Sequence, residues 1–339
     1  MTDIKALIRP NILALKPYSS ARDDFEGGEA VFLDANELPF GNLNRYPDPY
    51  QRMLKSKLSQ IKGIAAENIF LGNGSDEVID LALRIFCIPG RDRVIVCPPT
   101  YGMYEVSAGI NHLEVMHIPL TENFQLNVDE ILKTEAKMVF LCSPNNPTGN
   151  TLQNLETIIR NFKGIVFLDE AYIDFSERPS LLQKVNTYPN LIVSQTLSKA
   201  WGKAAIRIGI AYADKEIITF FNKVKPPYNV SQLNQNEAIQ TIEKADVFYS
   251  NRQKVLEQRS WLLEQLSELE QVEKIYPTDA NFVLVKTKNA NAMYHQLIEN
   301  KIVVRNRHFV VENCLRITVG EAHENAQLIH TLKKNEAMK

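Results

Sequence analysis

Ile165-Val166-Phe167-Leu168-Asp169-Glu170-Ala171-Tyr172 is the stretch on which the fold turns. Its apolar run, half of it β-branched, ends in a carboxylate. That is the pattern of a strand buried on both faces of a parallel sheet, delivering a side chain at its carboxyl end. Leu191-Ile192-Val193-Ser194 repeats the pattern and stops just before Thr196-Leu197-Ser198-Lys199-Ala200-Trp201-Gly202. In open α/β sheets that edge is where ligands bind, so two strand ends are expected to converge on one crevice. Working outward, residues 94–97, 138–142 and 208–212 read as further short buried strands, with helical stretches around 75–86 and 153–162. The alternation predicts an α/β fold with a mostly parallel central sheet flanked by helices.

From about residue 244 the pattern changes. A long charged helix is expected through 268, then a strand at 281–285, a helix near 291–299 and strands near 302–304 and 315–319, which together make a smaller α+β domain. The expected division is a large domain over 30–230, with 1–29 and 231–339, an amino-terminal arm plus the carboxyl-terminal part, in the small one. Repeats, low-complexity tracts and flexible linkers are not found, which predicts a shared interface in place of a tether.

A chain of 339 residues suits this two-part organisation, and its net charge of −2 offers nothing to nucleic acid or anionic membranes. Cys87, Cys97, Cys142 and Cys314 are scattered, three of them in or beside apolar runs, and read as buried free thiols. The six histidines show no metal-ligand spacing, so no metal is expected. Residues 1–15 have interspersed charges and no apolar segment of the kind a secretion signal needs. The most apolar long stretch, 204–213, is interrupted by Arg207 and falls far short of the roughly 20 residues that cross a bilayer. A cytoplasmic location is the expectation.

The residue types around Lys199 fit one chemistry. A lysine amine condenses with an aldehyde, a carboxylate such as Asp169 keeps a pyridine nitrogen protonated, and hydroxyl and guanidinium groups such as those of Ser198 and Arg207 take a phosphate. That is the requirement of pyridoxal 5'-phosphate. Singly, Asp169 reads as well as a helix cap and Lys199 as a surface lysine; the set is what carries the reading. Lys203 is the rival amine, but it follows Gly202 and reads as a solvated cation beside the site. In Leu71-Gly72-Asn73-Gly74-Ser75-Asp76-Glu77 the glycines permit a tight turn, and Ser75 is expected to cap the following helix, whose free amides face an anion. Asp76 and Glu77 read as first-turn acids favoured by the helix dipole. Tyr101 could lie over the pyridine ring, although taken alone it reads better as a tyrosine packed in a strand-to-helix loop. Ser143-Pro144-Asn145-Asn146-Pro147-Thr148-Gly149 fixes an irregular loop after a buried strand, suited to presenting one amide side chain.

With these motifs, the chain resembles the fold-type I, class II aminotransferases, and within them the branch acting on histidinol phosphate. The likeness runs nearly end to end. It includes Leu15-Lys16-Pro17-Tyr18-Ser19-Ser20-Ala21-Arg22, Leu33-Asp34-Ala35-Asn36-Glu37, Arg45-Tyr46-Pro47-Asp48 and Cys314-Leu315-Arg316-Ile317-Thr318-Val319-Gly320. The resemblance implies that Lys199 bonds the cofactor and shuttles the proton, that Asp169 pairs with the ring nitrogen, and that Tyr101 stacks on the ring as part of the catalytic set. It implies further that Asn146 and Tyr172 bond the ring hydroxyl, that Gly74, Ser75, Ser198 and Arg207 hold the phosphate, and that Tyr46 reaches that phosphate from the partner subunit of a homodimer. Arg316 resembles the arginine that takes a substrate carboxylate, while Arg305 and Tyr18 match positions that hold a substrate phosphate; Arg307, two residues on, is the alternative to Arg305. Glutamate and histidinol phosphate are the implied substrates. An aromatic amino-acid aminotransferase, or a decarboxylase of a phosphorylated amino acid such as threonine phosphate, is the runner-up. Leu38 stands where the family has a second asparagine, and Trp201, Lys203 and Ala204 replace commoner residues after the lysine. These departures bear on substrate breadth.

Overall fold

The computed structural model describes residues 3–18 and 30–336; Ser19, Ser20, Ala21 and Arg22 of the first family motif lie outside them. The larger sheet consists of β1 (Ile69–Asn73), β2 (Arg93–Val96), β3 (Glu114–His117), β4 (Met138–Cys142), β5 (Ile165–Asp169), β6 (Leu191–Thr196) and β7 (Ile208–Ala213). Their order is β1-β7-β6-β5-β4-β2-β3. All pairings are parallel except those of β7, which runs against both β1 and β6.

The unbroken apolar runs have a simple cause. Side chains alternate across a strand, and both faces here are covered: Val139, Leu141, Val166 and Leu168 enter one core, Met138, Phe140, Ile165 and Phe167 the other. Helix Ser75–Phe86 covers the second face with Val78, Ile79 and Leu83, and helix Arg52–Lys62 covers the first with Leu54 and Leu58. Each such side chain stabilises the fold by about 1.5–3 kcal/mol on burial.

A second, antiparallel sheet contains β8 (Val272–Ile275), β9 (Phe282–Thr287), β10 (Arg305–Asn306) and β11 (Cys314–Thr318), in the order β10-β11-β9-β8. The long helix Ala245–Ser267 and helices Ala290–Glu299 and Ala322–Glu336 accompany it. Leu262, Leu266, Leu297 and Leu328 close its core against Val283, Val285 and Leu315. Tyr172 and Phe175 pack on Ala280 and Phe282, so a small apolar cluster joins the two sheets at the site.

Two expectations need correction. Ile4, Ile8 and Ile12, assigned to the small domain, bury in the core of the large sheet, because helices Ile4–Leu7 and Pro10–Ala14 turn their apolar stripe toward Phe70, Ile85 and Phe221. The strand expected near 302–304 forms at Arg305–Asn306, where the ladder opposite Arg316 and Leu315 begins. Among the described residues no helix is long and apolar enough to cross a membrane. The four cysteines are buried free thiols.

Candidate active site

The sheet brings its chemistry to one edge. In register, Cys142 lies beside Asp169 and Asp169 beside Ser194, so β4 and β5 end together and β6 runs on to Thr196. Because β7 is reversed, it starts where β6 stops, and Asn73 at the end of β1 lies opposite Ile208. Residues separated by more than a hundred positions thereby meet around a cavity of about 320 Å³. Its walls include Ser75, Tyr101, Asn146, Asp169, Tyr172, Ser198, Lys199, Arg207, Arg305 and Arg316. The expected residues that do not line it are Gly74, which sits immediately behind, and Tyr18 and Tyr46. Tyr18 is exposed, and Tyr46 stacks on Tyr228 with centroids 4.4 Å apart.

Lys199 follows a loop clamped by the backbone. Leu197 donates to the Ile208 carbonyl at 3.1 Å, Lys203 N–H to Leu197 at 2.9 Å, and Ser198 N–H to the Thr196 hydroxyl at 3.0 Å. The amine stands 5.5 Å from the centroid of the Tyr172 ring. Burial lowers its pKa below the ordinary lysine value, and the positive charges of Arg316 and Arg207 act in the same direction, against Asp169. Lys203, expected as a solvated cation beside the site, is partly exposed and has a partner. Its amine forms an ion pair with Glu237 at 2.5 Å, in a neighbouring cavity that Lys199 also borders and away from the one that holds Asp169.

Asp169 is buried at the floor. One oxygen accepts from the Tyr104 hydroxyl at 2.6 Å and the other from Ala171 N–H at 3.0 Å. Burial pushes its pKa up; those two donors and Lys199 oppose the rise by favouring the anion. Tyr104 is itself wholly buried and stacked on Phe140 at 4.8 Å. Tyr101 donates to Asp76 at 3.3 Å, and burial together with that carboxylate pushes its hydroxyl up to about 12.

Adjacent asparagines divide the work of the proline-rich loop. Asn145 is the brace: its amide donates to Pro99 and Thr148 at 2.8 and 2.7 Å and accepts from Thr100 at 2.9 Å. Asn146 faces the cavity, where its oxygen accepts from Arg316.

Opposite lies an anion cradle. Gly74 has φ +81°, a conformation that favours glycine, and a Cβ there would fall 2.4 Å from the Arg207 guanidinium. Ser75 is the first helical residue and does not cap; Gly74 holds the cap position, which leaves the serine hydroxyl at the cavity wall. Arg207 is 3.5 Å from Asp76, a loose pairing for a guanidinium. Bare backbone, a hydroxyl and a cation at a helix start form the donor set for a phosphate, while Asp169 and Lys199 supply a carboxylate and an amine. The residues fit pyridoxal phosphate.

Tyr104, Asp76, Cys142 and Thr196 were not assigned to the site from sequence, and Arg307, weighed there as the alternative to Arg305, lines the cavity together with it. Asp76 looked like an ordinary first-turn acid, and Tyr104 contacts a partner 65 positions away. Among the described residues no group of histidine, cysteine or acidic side chains is placed to hold a metal ion.

Charges so arranged suit one class of enzyme, that which does its chemistry through pyridoxal 5'-phosphate. Comparison with known proteins narrows the class. The chain belongs to the class I and II aminotransferases, whose family profile matches residues 24–332. Histidinol-phosphate aminotransferase of Bacteroides fragilis is 52% identical over 98% of this chain and 99% of its own length. That of Cytophaga hutchinsonii is 48% identical over 97% and 98%. Among solved structures, histidinol-phosphate aminotransferase from Clostridium acetobutylicum, 24% identical, has a TM-score of 0.80 over 88% of this chain and 92% of that one. The Sinorhizobium meliloti enzyme in complex with pyridoxal-5'-phosphate, 22% identical, scores 0.79 over 87% and 84%. These structures share the fold. Enzymes of this family use pyridoxal phosphate as cofactor, and so does this chain.

Proposed function

We propose that the protein is the aminotransferase of histidine biosynthesis that interconverts imidazole acetol phosphate plus L-glutamate with L-histidinol phosphate plus 2-oxoglutarate, in two half-reactions at one site. The observation that carries the reading is that Arg305 and Arg316 line the same cavity as Lys199, since both half-reactions need an anion held beside the amine. The names of the relatives at about half identity support it.

When bound, pyridoxal phosphate supplies an aldehyde for amines and an electron sink. Asp169 would hold its ring nitrogen, Asn146 and Tyr172 its ring hydroxyl, Tyr101 its face, and Gly74, Ser75, Ser198 and Arg207 its phosphate. Lys199 takes the proton from the substrate carbon that bears the amine and holds it for return. Burial and the neighbouring guanidinium groups favour the neutral amine that this needs. Arg316 orients the substrate carboxylate, with Arg305 and Tyr18 holding the substrate phosphate. The working unit is a cytoplasmic homodimer in which Tyr46 of each copy completes the phosphate site of the other, with a large domain that joins 30–230 to the amino-terminal helices packed on its sheet.

Mixing the cofactor-loaded protein with histidinol phosphate and following its visible absorbance through one half-reaction tests this. Rapid bleaching, with phenylalanine much slower, is expected; bleaching by phenylalanine alone would move the assignment to an aromatic substrate. Lys199→Ala should retain cofactor yet lose at least about a thousandfold in turnover, as removal of a general acid–base group does. Normal activity in that variant would remove Lys199 from the mechanism.

A further inference from the structure

The register of the small sheet brings three guanidinium groups together. Arg305 lies directly opposite Arg316 in the β10–β11 ladder, so the two side chains share a face. Arg307 follows Arg305 by two positions, and its N–H continues the ladder to the Cys314 carbonyl, which returns its side chain to that face. All three line the cavity that holds Lys199. Like charges set side by side repel, and each pushes down the proton affinity of the others: burial, then Arg316 and Arg305, lowers that of Arg307. Arg316 is lowered by burial and by Arg305.

Sequences normally relieve such a cluster with carboxylates. Among the described residues no acidic side chain forms an ion pair with any of the three. Arg316 spends one donor on the neutral amide of Asn146, and the Nε atoms of Arg307 and Arg316 are buried without a hydrogen-bond partner. A buried donor left unmade is costly, and it is retained where a ligand completes it. A single carboxylate carries one charge and two oxygens. A phosphomonoester carries nearly two charges and three acceptor oxygens, and is the better match for a three-guanidinium face.

We infer that Arg307 is a specificity-determining residue of this site, joining Arg305 and Arg316 to bind the phosphomonoester of the substrate and to favour it over a lone carboxylate. The inference rests on the proposed function for the identity of the phosphorylated substrate, and on geometry alone for the anion. Arg305 and Arg316 suffice for a carboxylate; Arg307 supplies the cation and the donors that a dianion adds.

The test uses the cofactor-loaded protein and the variants Arg307→Gln and Arg307→Lys. In single half-reactions, Arg307→Gln should raise the half-saturating concentration of histidinol phosphate about tenfold more than that of glutamate, with the limiting rate of bleaching changed far less. Arg307→Lys, which keeps the charge but not the fork, should recover part of the loss. Calorimetric titration with inorganic phosphate gives a readout independent of turnover: its dissociation constant should rise about tenfold in Arg307→Gln. The cofactor absorbance of each variant reports that it has folded. Equal losses toward both substrates, or phosphate affinity unchanged in the glutamine variant, would overturn the role of Arg307. If the wild-type protein binds inorganic phosphate through Arg307 but is inert toward histidinol phosphate, the proposed substrate falls while the anion site stands.

Discussion

Tyr104 shows how a single hydroxyl governs the site from beneath it. Its bond to Asp169 favours the carboxylate anion in a place where burial disfavours it. Hydrogen bonds to charged groups contribute about 1.5–3 kcal/mol, equivalent to roughly tenfold to a hundredfold. Tyr104→Phe is therefore expected to lower kcat/KM by about that factor. The sign of the pH effect follows: with one donor fewer the protonated carboxyl gains, so the anion is lost at a higher pH on acidification and the acid limb of the activity profile moves upward. An unshifted limb at normal activity would refute the role. Asp169 and Lys199 were legible in the sequence because each ends or follows a buried apolar run. Tyr104 was not. It is the second residue of the helix Met103–Ile110, and only the folded sheet brings it to a residue so far along the chain.

At the scale of elements, the site depends on how closely β1 and β7 approach. Gly209 lies opposite Gly72, and a Cβ on it would fall 2.3 Å from the Gly74 carbonyl carbon and 2.4 Å from the Ser75 nitrogen. Those atoms are backbone and cannot turn aside as a flexible side chain does. Gly209→Ala should push the anion cradle outward, weakening cofactor affinity by tenfold or more and lowering stability by about 1–3 kcal/mol, the usual effect of overpacking. Fluorescence titration with the cofactor and a thermal melt of the unloaded protein would measure both; an unaltered affinity would show that the cradle tolerates the shift. Strands covered on both faces were readable as continuous apolar runs, and β4 occupies the expected span. The missed strands lack that signature. β1 dissolves into Gly72 and Asn73, β3 is an edge strand with exposed Glu114 and His117, and β8 carries two adjacent exposed residues, Glu273 and Lys274, between partly buried ends. The cap expected at Ser75 moved to Gly74 for a comparable reason: positive φ at the glycine already makes the turn.

The whole molecule presents an apolar surface that a lone chain leaves open. Val31, Leu33 and Phe40 are 87%, 89% and 76% exposed on a segment without regular structure, close in sequence to Tyr46. Large exposed apolar residues gathered in this way mark an interaction surface. Sedimentation of the purified protein is expected to give a dimer. Tyr46→Ala should weaken cofactor binding about tenfold, the scale of one lost hydrogen bond to a charged group, while leaving the dimer intact. A monomer that binds cofactor at full affinity would dismiss the shared site.

The reversed strand β7 also bears on how the protein is made. β1 is the first of the seven strands of the large sheet to leave the ribosome, yet among the described residues its sheet neighbour is β7, the last of them to be synthesised. Throughout translation of the intervening strands and helices, β1 remains an unpaired edge of the kind that invites association with other chains. The nascent chain can assemble β2 to β6 early, but the proposed phosphate cradle forms only when residues 208–213 emerge and close the gap. Cofactor capture is thereby a late event in biogenesis, timed by strand order.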